Sequence, residues 1–212
     1  MAKPAARHRH QTPQFFHSLT SLKIGLVGGS FNPAHDGHVH VAREVRRRLN
    51  LDQIWWLVSP QNPLKSTANM APLAMRLDQA RRIAAPIPFL RVLAPEQDLP
   101  ENYTFNTLKF LKKTMPRARL VWIMGADNLA QFSRWHRYRD IIRLLPIAVI
   151  DRPSYSLEAM GAGRQLFKRR YRVGGMRHAL ACRPDKLSGW CFIAGPKHTA
   201  SASAIRARAH SS

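Results

Sequence analysis

Six stretches of nearly continuous apolar residues recur along the chain: KIGLVGG at 23–29, IWWLVSP at 54–60, FLRVLAP at 89–95, LVWIMGA at 120–126, IAVIDRP at 147–153 and WCFIAGP at 190–196. Each has the length of a strand, and the lack of polar alternation in several of them predicts strands covered on both faces. Between them the apolar period becomes that of a helix. Residues 37–49 place Val41, Val45 and Leu49 on one face against Arg43, Arg46 and Arg47, and residues 70–84 do the same with Leu73, Leu77, Ala80 and Ile83. Strand alternating with helix predicts an α/β fold, a Rossmann-like doubly wound and mostly parallel sheet joined by right-handed crossovers. Residues 161–188 hold many Arg and Lys with few periodic apolar positions, and read as a helix and loop between the last two strands.

Such a sheet binds ligands beyond the carboxyl ends of its strands, so chemistry is expected just after each apolar run. Those positions read GGSFNPAHDGH, SPQNPLK, APEQDLPENYT, GADNL, DRPSY and GPKHTASAS, rich in Gly, Asn, His, Ser and Thr. In the first of them, glycines let a backbone approach a ligand closely, and His35 and His38 fall within one turn of each other at the start of a helix. Taken singly, these are turn and loop signals. Together, two imidazoles and the unpaired N–H groups of a helix start converge on one spot, which suits a phosphate. The stretch is neither the Walker loop, which needs G-x-x-x-x-G-K-[ST], nor the dinucleotide fingerprint G-x-G-x-x-G.

Length, 212 residues, suits one domain over 22–212 preceded by a basic, mostly disordered tail over 1–21. No run approaches the roughly 18 apolar residues of a membrane span, and the first residues lack the apolar core of a secretory signal. Cys182 and Cys191 match neither metal-ligand spacing nor a disulfide framework, so a reducing cytoplasm is expected. Charge is the loudest feature of the composition. Lys and Arg total 34 against 12 Asp and Glu, a formal +22, which implies polyanionic partners: nucleic acid, nucleotides or phosphorylated metabolites. A nucleic-acid-binding module would interleave aromatic residues with surface cations or carry a recognised RNA-binding motif; the sequence shows neither, and nucleic acid is disfavoured.

The stretch GSFNPAHDGH at 29–38 resembles the G-[ST]-F-[DN]-P-x-H-x-G-H signature of the HxGH nucleotidyltransferase superfamily, with Gly29, Ser30, Phe31, Asn32, Pro33, His35, Gly37 and His38 matching position for position. Near the other end, HTASASAIRAR at 198–208 resembles that family's I-S-S-T-x-I-R signature. Ser201, Ser203, Ile205 and Arg206 align, alanine replaces the leading isoleucine and the middle serine, and serine replaces threonine. The resemblance implies attack on the α-phosphate of ATP with pyrophosphate leaving. It assigns catalytic roles to His35, His38 and Arg206, and ATP contacts to Gly28, Gly29, Ser30, Phe31, His38, Lys65, Gly125, Asp127, Ser203 and Arg206. Leu64 stands where many members carry a histidine, so in that loop only Lys65 is carried over, as a phosphate contact. A phosphate nucleophile is mostly ionised at neutral pH and needs no catalytic triad. Mg²⁺ is expected to travel with ATP, because no carboxylate pair appears at these loops to hold it alone.

Three further loops are similar to the bacterial nicotinate mononucleotide adenylyltransferases. Asn102, Tyr103 and Thr104 in NYTFNTL match S-Y-T-x-x-T-L with Asn for Ser; Gly125 and Asp127 in IMGADNL match I-[IV]-G-x-D-x-L; Phe132 and Trp135 match F-x-x-W, followed by Arg152 and Pro153. The similarity runs from about residue 23 to 208. It implies that ATP and nicotinate mononucleotide give nicotinate adenine dinucleotide and pyrophosphate, in NAD biosynthesis. Asn102, Tyr103, Thr104 and Trp135 are the implied mononucleotide contacts. Trp135 would stack on the pyridine ring, and backbone donors near Tyr103 and Thr104 would receive the carboxylate. Asp127 would accept from a ribose hydroxyl rather than cap a helix starting at Asn128. Without its neighbours Trp135 would read as packing. The nearest rival is phosphopantetheine adenylyl transfer by the same mechanism, in a family whose chains are usually shorter and lack this set of loops.

Overall fold

The apolar runs become strands because each is buried where it passes through the middle of a sheet. In the structure, a computed structural model that describes residues 21–60, 70–95, 103–151, 156–182 and 187–194, β1 spans Lys23–Gly29. It is followed by α1 (Asp36–Leu49), β2 (Gln53–Val58), α2 (Leu73–Ala84) and β3 (Leu90–Leu93). The second half runs α3 (Thr104–Thr114), β4 (Arg119–Gly125), α4 (Ala126–Ala130), a single 3₁₀ turn at Phe132–Arg134, α5 (Tyr138–Leu144) and β5 (Ile147–Ile150). It ends with α6 (Ser156–Leu166), β6 (Arg170–Tyr171), α7 (Val173–Cys182) and β7 (Trp190–Ile193).

The strands form one seven-stranded sheet in the order β3-β2-β1-β4-β5-β7-β6, and every neighbouring pair is parallel. Six of the seven coincide with the apolar runs. The seventh, β6, is two residues long and lies in the segment expected to be helix and loop. Arg170 and Tyr171 form a strand only by pairing with Trp190 and Cys191.

Alternate residues of each central strand feed two separate cores, as a sheet covered on both sides requires. On one face Leu26, Trp55, Trp122 and Val149 pack with Leu108 and Leu111 of α3, Leu129 of α4 and Ala159 of α6. On the other, Trp56, Val58, Ile123 and Ile193 pack with Val45 of α1, Leu77 of α2 and Met176 of α7. The doubly wound expectation therefore holds, and it sets up the site. β1 and β4 are neighbours, yet the helices that follow them cover opposite faces. A crevice must open where their carboxyl ends part.

Gly28 shows how tightly that crevice is floored. A Cβ added there would lie 2.3 Å from the Trp122 ring. Its lack of a side chain makes room for a tryptophan from β4.

Candidate active site

The site is built first from the chain leaving β1. After Gly29 comes Ser30, and then Phe31, which is buried and holds φ at +46°, the left-handed region that a bulky residue rarely enters. The turn ends at His35, the N-cap of α1. Its Nδ1 accepts the Gly37 N–H at 3.1 Å, while Nδ1 of His38 accepts the His35 N–H at 3.2 Å, a reciprocal cap built from two imidazoles in place of the usual hydroxyl and carboxylate. The ring centroids lie 3.9 Å apart.

This cap fixes the tautomers. An imidazole nitrogen that accepts a backbone N–H carries no proton, so in both neutral rings the hydrogen sits on Nε2, which is a donor. Two donors thus stand beside the positive end of a 14-residue helix. The His38 ring is held in place by Phe31 at 4.9 Å and Trp56 at 5.9 Å, and Phe31 itself stacks on Trp56 at 5.0 Å. The expected convergence of His35, His38 and the helix start is present.

Across the crevice, Gly125 closes β4 level with Gly29, since Val27 pairs with Ile123. α4 starts at once. Gly125 is its N-cap and Asp127 stands in its first turn, so the helix does not begin at Asn128 and Asp127 is not its cap. The carboxylate sits where a first-turn anion is favoured, beside the end of β4.

The start of α3 meets the turn before α5. Tyr103 is the N-cap of α3, and Thr104 is its first residue; Tyr103 makes no side-chain cap bond and stacks on His136, with ring centroids 4.3 Å apart. The first N–H groups of a helix have no acceptor within it. Trp135 is half-buried, packed edge-on against Phe132 at 5.2 Å and Trp122 at 6.3 Å. It is a packing residue with part of its surface exposed. Lys65, Asn102, Ser203 and Arg206 lie outside the described residues. Among those described, no cluster of three His, Cys, Asp or Glu could hold a metal ion, and no helix is long and apolar enough to cross a membrane.

Two residues near the site were not singled out from sequence. His136 was hidden beside Trp135, with nothing to say that its ring would meet Tyr103. Arg76, buried in α2, donates to the carbonyls of Ser30, Ser59, Pro60 and Ala71. Its signal was its place on the same helical face as Leu73, Leu77 and Ala80.

A parallel sheet with an anion-binding helix start and imidazole donors at the switch point defines an α/β protein of the mononucleotide-binding kind. The cytidylyltransferase-like family model matches residues 26–208. A protein of Methylorubrum extorquens named "Probable nicotinate-nucleotide adenylyltransferase" is 46% identical over 188 residues, 88% of this chain and 100% of that one. A protein of Rhizobium johnstonii with the same name is 43% identical over 90% of this chain and 94% of its own. Among solved structures, the nicotinic acid mononucleotide adenylyltransferase of Plasmodium falciparum complexed with NaAD superposes with a TM-score of 0.66. It does so at 16% identity, over 88% of this chain and 83% of that one, a likeness of fold. The chain belongs to the cytidylyltransferase-like family, within its nicotinate-nucleotide adenylyltransferases.

Proposed function

We propose that the protein transfers the adenylyl group of ATP to nicotinate mononucleotide, giving nicotinate adenine dinucleotide and pyrophosphate. The observation that carries this reading is the paired imidazole cap of α1 at the carboxyl end of β1. It presents donors and a helix terminus, and no nucleophile or general base, which is what phosphoryl chemistry with an already ionised nucleophile requires.

In this reading the mononucleotide's phosphate oxygen attacks the α-phosphorus of ATP and the bond to the β-phosphate oxygen breaks, so pyrophosphate leaves. The Nε2–H groups of His35 and His38, with Lys65 and Arg206, offset the charge gathered on the phosphates, and Ser203 holds an ATP phosphate oxygen. Gly28 and Gly29 at the end of β1, with Ser30 and Phe31 of the turn that follows, form the surface against which the triphosphate lies. Gly125 at the end of β4 and Asp127 in the first turn of α4 face the ribose. Asn102, Tyr103, Thr104 and Trp135 take the mononucleotide, its carboxylate at the start of α3 and its ring on Trp135. Mg²⁺ enters as the ATP complex and is part of that substrate.

The shared name of the two relatives, 46% and 43% identical over nearly the whole of both chains, supports the choice of substrate. The test is to incubate the purified chain with ATP, Mg²⁺ and, separately, nicotinate mononucleotide, its amide, or phosphopantetheine, and to follow pyrophosphate release. The first is expected to react fastest; preferential use of phosphopantetheine would overturn the assignment.

A further inference from the structure

The reaction as read above leaves one charged group near the site without a role. Arg76 of α2 is 2% exposed, and desolvation by burial lowers its proton affinity from the ordinary value, although a guanidinium stays charged. Burying a cation is costly unless its donors are satisfied. Here every guanidinium nitrogen is engaged: Nε donates to the Ala71 carbonyl at 2.8 Å, Nη1 to those of Ser30 at 2.6 Å and Ser59 at 2.8 Å, and Nη2 to that of Pro60 at 2.8 Å. None of these partners is a carboxylate. One planar fork thus joins the turn after β1, the turn after β2 and the lead into α2. Asn32 strengthens the same junction, its Oδ1 accepting the Ala71 N–H at 3.2 Å.

The Ser30 bond bears on the site. In a trans peptide the C=O and the following N–H point in opposite directions, so an Arg76 that holds the Ser30 oxygen aims the Phe31 N–H away from itself. That peptide leads into the left-handed Phe31, a conformation that persists only when its surroundings impose it. The Phe31 ring in turn lies 4.9 Å from His38. Contacts therefore run from Arg76 through the Ser30 carbonyl and the Phe31 backbone to the imidazole that faces the phosphates.

We infer that Arg76 is a positioning residue for adenylyl transfer: its guanidinium holds the Ser30–Phe31 peptide, and through Phe31 the His38 ring, in the orientation the reaction needs. This rests on the function proposed above. A lysine is a point charge with one donor centre and cannot span the three segments, so charge without the fork should fail.

The test uses the full chain with Arg76→Lys and Arg76→Ala, thermal unfolding to establish the folded fraction, and steady-state kinetics in both substrates. Folded Arg76→Lys is expected to lose about 10- to 100-fold in kcat, as misplacement by a fraction of an ångström to one ångström does. The KM for nicotinate mononucleotide should move by less than about threefold, because Tyr103 and Trp135 lie on other elements. Millimolar guanidinium should restore part of the kcat of Arg76→Ala, and methylammonium should not. Wild-type kcat in folded Arg76→Lys, or a loss in both variants no larger than their lost folded fraction with no guanidinium rescue, would overturn the inference. If the wild-type chain releases no pyrophosphate with any substrate, it is the adenylyl-transfer reading that fails. Calorimetric titration with Mg²⁺–ATP then decides on Arg76: weaker binding by Arg76→Lys supports its hold on the turn, and unchanged binding refutes it.

Discussion

At the scale of single residues, the imidazole pair does two jobs with four nitrogens. The Nδ1 atoms close the helix start, which leaves the ring hydrogens on the Nε2 atoms as donors. His38→Ala removes both functions at once. Losing a donor aimed at developing charge should lower kcat by about 10²- to 10³-fold, while losing one bond of the cap should cost only about 0.5–2 kcal/mol of stability. Steady-state kinetics beside thermal unfolding separate the two effects; full activity in a folded variant would make His38 structural. Trp135→Ala should raise the KM for the mononucleotide and leave that for ATP much less changed, because in the proposed reading the ring contacts only one of the two substrates. That His35 and His38 come together was legible from their spacing. Which nitrogen each would spend on the backbone was not, since that depends on His35 taking the N-cap. Arg76 was overlooked for a related reason: an arginine in an amphipathic helix is normally solvated, and only the carbonyls of the β1 and β2 turns make its burial tolerable.

At the scale of elements, continuous apolar runs identified six strands because both faces of this sheet are covered, so burial is written into every residue of the run. β6 carries no such signal. Its two residues are strand by virtue of a neighbour, and pairing between distant segments leaves little trace in a local pattern. The fit of β1 to β4 is equally non-local: nothing in the local pattern marks Gly28 as the seat of the Trp122 ring. Gly28→Ala should therefore force that ring to move and cost about 1–3 kcal/mol, measurable by denaturant unfolding. In β7, burial pushes the Cys191 thiol up to about 12, whereas Cys182 at the end of α7 is exposed. The thiolate is the reactive form, so near neutral pH one thiol should be alkylated rapidly in the native protein and two after unfolding. The sign for stability follows: the folded state favours the protonated thiol, so this contribution is intact below the unfolded thiol's ordinary range and fades as pH rises through it toward 12.

At the scale of the whole molecule, the doubly wound order places the turn after β1, the end of β4 and the start of α3 along one edge of the sheet. Residues separated by about a hundred positions in sequence thus lie along the same edge. Every candidate site residue lies at position 28 or beyond. Removing residues 1–20 should consequently leave kcat and both KM values nearly unchanged, and a large loss would assign the basic segment a part in the site. The net charge of +22 raises the local concentration of anionic substrates, so KM values should rise with ionic strength while kcat changes little. The central claim, transfer of an adenylyl group onto a substrate phosphate, is tested most directly with ATP radiolabelled at its α-phosphate and supplied together with nicotinate mononucleotide. The label is expected in nicotinate adenine dinucleotide, with unlabelled pyrophosphate released in equal amount; label recovered in free AMP or attached to the protein, with no labelled dinucleotide, would contradict it.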